Sequence, residues 1–209
     1  MSDIESATES AIGKSPPRLE AAEKAAGTAI YSGDMELPGM LHAALLTSPY
    51  SHARILSYDV SAALALPGVK AVVTAEDISG GYIGLVCKDE KALAHGKVRY
   101  IGEPVAAVAA RDEATARLAA RLIGVEYEEL PAATTVEQAM AEGAPVLHED
   151  FADYTKIYQA PENEGNLLAR AEAVMGRGVD GFDEADVIVE GTYEGGAQYH
   201  AYMEPVSVL

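Results

Sequence analysis

Between residues 104 and 129 the hydrophobic period of this chain changes twice, and that stretch constrains the fold more than any other. PVAAVAA at Pro104–Ala110 is a continuous apolar run of strand length. DEATARLAARLI at 112–123 then reads as a helix: Asp112 can cap the free N–H groups of the first turn, Glu113 and Arg117 stand in the stabilising i,i+4 order, and Gly124 follows the last apolar residue as a stop. Ala114, Leu118 and Leu122 recur at i, i+4 and i+8, which predicts one buried stripe. VEYEE at 125–129 alternates as a half-exposed strand does. The stretch reads strand, helix, strand.

Upstream, LHAALLT at 41–47, ARILSYD at 53–59 and KAVVT at 70–74 are further strand-length runs bounded by turn residues. One or two helical turns fit 61–66, closed by Pro67-Gly68, and a short helix fits 136–141. Helices are too few to cover both faces of a parallel sheet, so the pattern predicts an α+β domain rather than a doubly wound one. The first 17 residues end in Ser15-Pro16-Pro17, which resists helix and sheet and predicts a disordered N-terminus with order from near Arg18. From 142 to 166 the pattern weakens into an extended crossing. Beyond it come a short apolar run at 166–169, a helical turn near 179–185, and strand-like segments at 187–193 and 202–209.

The charge narrows the partners. With 15 basic and 33 acidic residues the 209-residue chain carries a formal −18, a field that repels phosphate backbones and anionic headgroups, so nucleic acid and membrane are excluded as first readings. The excess is lopsided, with 15 acids and 3 bases in 131–209. Cys87 is the lone cysteine, so the chain has no internal disulfide, tetrathiolate zinc site or self-sufficient iron–sulfur cluster. MSDIESATES lacks the basic and apolar regions of a secretory signal, and no apolar run approaches the roughly 18–20 residues that span a bilayer. The expected location is the cytoplasm.

Familiar catalytic signatures fail. Gly13-Lys14-Ser15 has Thr8 where a phosphate-binding loop needs glycine, and no G-x-G-x-x-G or G-x-S-x-G occurs. Gly80-Gly81-Tyr82-Ile83-Gly84 reads as a mobile loop. His42, His52, His95, His148 and His200 show no metal-ligand spacing, His148-Glu149-Asp150 reads as a solvated acidic turn, and Cys87 as a structural thiol. One cluster is unusual. Gly195-Gly196-Ala197-Gln198-Tyr199-His200 places small residues before a non-titrating amide, which suits close approach to a ligand, although composition alone favours a glycine-bearing hairpin with a polar tip.

Five segments in order carry a resemblance: RLEAAEKAAGTAIYSGD at 18–34, LPGMLHAALLTSPYSHARILSYD at 37–59, ALPGVKAVVTAEDI at 65–78, GKVRYIGEPVAAVAARDEATARLAARLIGVEYEELPA at 96–132 and FDEADVIVEGTYEGGAQYHAYMEP at 182–205. Together they resemble the molybdenum hydroxylases, the xanthine dehydrogenase and aldehyde oxidase family, in the N-terminal part of the molybdenum-binding subunit. The resemblance implies an α+β a/b hammerhead domain at 18–132, a linker at 133–165, and the beginning of a molybdenum-cofactor-binding domain at 166–209. In the family pattern Q-x-H-x-Y-[LM]-E the glutamine lies beside the metal and hydrogen-bonds its oxo group. The matching residue is Gln198, with Ala197 standing where many members have glycine.

The implied activity is hydroxylation of aldehydes or N-heterocycles. Its molybdopterin-type molybdenum cofactor belongs to the complete enzyme and is not bound by this chain alone. The implied partners are the remainder of the molybdenum-binding subunit and iron–sulfur and FAD subunits, with a homodimer of the complete complex as the further assembly. Nothing in these 209 residues matches the family's general-base glutamate or its pterin loops, so no catalytic residue and no metal ligand is assigned. The alternative is a stand-alone interaction or assembly module that keeps the hammerhead fold without the chemistry. A split enzyme completed by a separate chain is a third reading.

Overall fold

The structure, a computed structural model, describes residues 13–157, 165–176, 178–203 and 206–209. Of the expected disordered N-terminus, residues 1–12 lie outside the described residues. The chain divides into two compact units, Gly39–Gly191 and a smaller one made of Met1–Pro38 with Thr192–Leu209.

In chain order the helices are α1 (Ala21–Ala26), α2 (Ser61–Leu64), α3 (Glu113–Leu122) and α4 (Val136–Met140). The strands are β1 (His42–Thr47), β2 (Ala53–Asp59), β3 (Val69–Thr74), β4 (Cys87–Lys88), β5 (Lys97–Val98), β6 (Pro104–Ala110), β7 (Gly124–Glu129) and β8 (Thr155–Lys156). They form two three-stranded sheets, ordered β1-β6-β3 and β5-β2-β7, and a β4-β8 pair. Every one of these pairs is antiparallel, which bears out the α+β reading.

The larger unit is built around the strand–helix–strand stretch. Pro104 is tolerated as the first residue of the central strand β6, where its missing N–H costs no interior ladder bond. The Asp112 side chain accepts from the Thr115 amide at 2.7 Å and so caps α3, while Arg117 and Glu113 pair at 2.5 Å along its surface. α3 then lies on the β1-β6-β3 sheet, burying Ala63, Ala106, Val108, Ala119, Ala120 and Ile123 in one cluster. A second cluster joins Ala53, Ala94, Val98 and Val105, with Tyr50 and Tyr127 tilted against each other at 5.1 Å beside it. Val98, Val105 and Val108 are fully buried, each worth about 1.5–3 kcal/mol.

Two expectations are corrected and a third is refined. The buried stripe of α3 is Ala116, Ala119 and Ala120, whereas Leu118 and Leu122 stand 50% and 40% exposed and Ala114 is not among the buried residues. The helix sits so close to an alanine-rich sheet that small residues fit the interface and the leucines are turned outward. Gly124 does stand just past the C-cap Ile123, where the stop was expected, but it takes no left-handed φ and instead begins β7, because Ile123 already leaves the helix in extended conformation. Among the described residues of 187–193 and 202–209 no strand forms. Their alternating patterns suit a pleated surface, yet a strand needs a neighbour for its ladder, and neither segment has one here. The helical turn expected near 179–185 is present as a 3-10 helix, Gly178–Glu184.

Candidate functional site

The amide-bearing segment belongs to the smaller unit. There α1 ends at Gly27, whose φ of 69° supplies a left-handed cap, and a 3-10 turn at Ser32–Asp34 follows. That turn is closed reciprocally: the Tyr31 amide donates to the Asp34 carboxylate at 3.0 Å, and the Asp34 amide to the Tyr31 carbonyl at 2.9 Å. Ser207 lies beside it, 3.8 Å from where a Cβ on Gly33 would stand, so the turn at 32–34 lies against the end of the chain. Gly195, Gly196, Ala197 and Gln198 run exposed and without regular structure towards Tyr199, which is 89% exposed. Ala201 adopts φ 48°, a left-handed conformation that few non-glycine residues take, and the rings on either side, His200 and Tyr202, stack at 5.5 Å and 9°.

The structure therefore presents the Gln198 amide on an open segment. A cofactor of pterin size needs enclosing walls and several convergent donors. The described residues do not fit a molybdenum cofactor by themselves, because Gln198 and both its neighbours are exposed, and no group of three or more His, Cys, Asp or Glu among the described residues is placed to hold a metal ion.

The other candidates separate in the larger unit. His148, Glu149 and Asp150 take different partners: His148 Nδ1 lies 3.2 Å from the Tyr154 hydroxyl, Glu149 pairs with Lys97 at 2.6 Å, and Asp150 accepts from the Tyr82 hydroxyl at 3.4 Å. Burial, reinforced by the Arg99 cation, holds the His148 imidazole below its ordinary pKa. His52 is buried and its Nδ1 lies 2.6 Å from the Pro131 carbonyl, which ties the start of β2 to the residues after β7. Cys87 is buried in the β4-β8 pair. The glycine-rich loop is fastened by Ile83 and Glu90, which exchange backbone hydrogen bonds of 2.8 and 3.2 Å. Gly84 is required in that loop, since a Cβ there would stand 1.9 Å from the Cys87 carbonyl oxygen.

The sequence marks Glu103-Pro104, directly before the apolar strand, as a structural edge, and the structure shows how much Glu103 holds there. Its carboxylate is buried and accepts the Arg99 amide, closing the turn that enters β6, while its own carbonyl accepts from the Ser48 amide at 2.9 Å. Burial pushes its pKa up, opposed by the Arg99 amide and charge. Sequence reasoning passed over Asn166: its side chain accepts from the Leu147 amide at 2.9 Å and donates to the Ala139 and Pro145 carbonyls at 3.0 Å each, fastening the crossing segment at three points.

Residues 26–131 match the family described as aldehyde oxidase and xanthine dehydrogenase, a/b hammerhead domain. The chain belongs to that family. Its hammerhead relatives include a probable xanthine dehydrogenase subunit from Bacillus subtilis (strain 168), 40% identical over 87% of this chain and 23% of that one. The nicotinate dehydrogenase large molybdopterin subunit of Eubacterium barkeri is 35% identical over 93% of this chain and 43% of its own. Among solved structures, quinoline 2-oxidoreductase from Pseudomonas putida 86 superposes with a TM-score of 0.58 at 44% identity, over 65% of this chain and 18% of that chain. CO dehydrogenase from Oligotropha carboxidovorans gives 0.62 at 39%, over 66% and 18%. The hammerhead chain thus spans less than half the length of each of these curated relatives. Several relatives are molybdenum-binding or molybdopterin subunits, and no helix among the described residues is long and apolar enough to cross a membrane.

Proposed function

We propose that this chain is the N-terminal, hammerhead-bearing portion of the molybdenum-cofactor-binding catalytic subunit of a xanthine dehydrogenase/aldehyde oxidase-type oxidoreductase, acting on aldehydes or N-heterocycles and not catalytically complete by itself. The observation that carries this reading is identity of 35–40% extending over 87–93% of the chain, past the hammerhead and into the segment that holds Gln198. In this reading residues 18–132 are the hammerhead, 133–165 the linker, and 166–209 the start of the cofactor-binding domain. Gln198 is the one residue of this chain that touches the cofactor, through its amide. Iron–sulfur and flavin groups sit on partner chains, and the assembly is cytoplasmic.

The exposed setting of Gln198 suits this assignment, because an amide that must meet a cofactor held largely by other residues is left open until those residues surround it. The test is Gln198→Ala in the native assembly. Loss of the one oriented hydrogen bond that the Gln198 amide would offer the cofactor lowers turnover by about 10²-fold or more while molybdenum content stays unchanged. Unchanged turnover in an assembly that holds the metal removes Gln198 from the site. An assembly without molybdenum that still carries out its task supports the stand-alone module instead.

A further inference from the structure

The register of the β1-β6-β3 sheet sorts its side chains onto two faces. Ala44, Leu46, Val72, Ala106 and Val108 meet α3. The opposite face carries two cross-strand rows, Ala43-Ala109-Ala71 and Leu45-Ala107-Val73. All six residues are apolar. Ala43 is exposed, Leu45 is 55% exposed, and the other four are half-buried. An antiparallel sheet with one face in water alternates apolar and polar residues along each strand, whereas strands apolar on both sides are the mark of a sheet covered on both. β6, PVAAVAA, has no polar residue on either face.

We infer that this second face seats an apolar segment from the remainder of the molybdenum-binding subunit, an inference that rests on the function proposed above. Two observations choose that occupant. Solved relatives 32–44% identical, with TM-scores of 0.58–0.62, hold the matching unit as only 16–18% of a longer chain. A second copy of this chain is disfavoured because each copy carries a formal −18, which opposes self-association. Four of the six residues are alanine, so the covering segment approaches the sheet backbone closely and fills the face with its own larger side chains.

The experiment places a photoreactive benzophenone amino acid at Leu45 in the gene as it stands in its own host, and irradiates the native assembly. Cross-linked peptides are identified by mass spectrometry and molybdenum is measured in the same preparation. The same group at Ala43, also on β1 and exposed, is a second reporter should the first variant misfold. The expected cross-link runs to a peptide of the molybdenum-binding subunit outside residues 1–209. A cross-link to a second copy of 1–209, or a face that gives none, overturns the inference. Either of those outcomes in a preparation that holds molybdenum leaves the functional reading standing, while a cross-link to a longer chain without the metal overturns the functional reading and keeps the covered face.

Discussion

At the residue scale, Glu103 shows how a charge can be structural and costly together. Its carboxylate closes the turn into the central strand, yet burial raises its pKa, so the native state binds its proton more tightly than the unfolded chain does. The sign is opposite to that of a salt-bridged acid: the penalty of the charged form is present above the folded pKa and is relieved as the pH falls through it towards the ordinary carboxylate value. Glu103→Gln keeps an acceptor for the Arg99 amide and removes that penalty, so its stability at neutral pH stays within about 1 kcal/mol of the parent. Its unfolding midpoint also loses the Glu103 contribution to the pH dependence. Glu103→Ala leaves the Arg99 amide without its acceptor and costs about 1–3 kcal/mol. Urea unfolding at several pH values measures both. Gln198 lies at the other extreme: it is exposed, and its proposed role rests on its neighbours in sequence rather than on its packing.

At the scale of elements, the sequence is most legible where local signals agree. The expected strand at 53–59 coincides with β2, and β3, β6 and the short helix α4 fall within a residue of expectation, since β-branched runs, turn residues and caps all favour the same answer there. The face of α3 departs from expectation because periodicity weights leucine over alanine, while close packing on an alanine-rich sheet selects the small residue. The consequence is measurable: Ala119→Leu overpacks the interface and costs about 1–3 kcal/mol, whereas the half-exposed Leu118→Ala changes stability by less than about 1 kcal/mol. Thermal or urea unfolding that ranked the two variants the other way would restore the leucine stripe. β4, β5 and β8 are two residues each and leave no period to detect. The patterns at 187–193 and 202–209 have the composition of strands, but the ladder that would realise them depends on a partner the pattern cannot supply.

For the whole molecule, composition sets boundaries and the ordered segments point to the family. The negative charge and lone cysteine speak against nucleic-acid binding and a self-sufficient iron–sulfur cluster, while the candidate site is legible only as the residue Gln198, which the proposed function would surround with residues of the rest of the subunit. Under the proposed function the open sheet face and the open glutamine segment have the same physical meaning: each presents groups for the remainder of the subunit to meet. Molybdenum is therefore the deciding observable. Measured per copy of this chain, in the assembly purified from its native source, it should be close to one. An intact, active assembly with no molybdenum would contradict the proposed function.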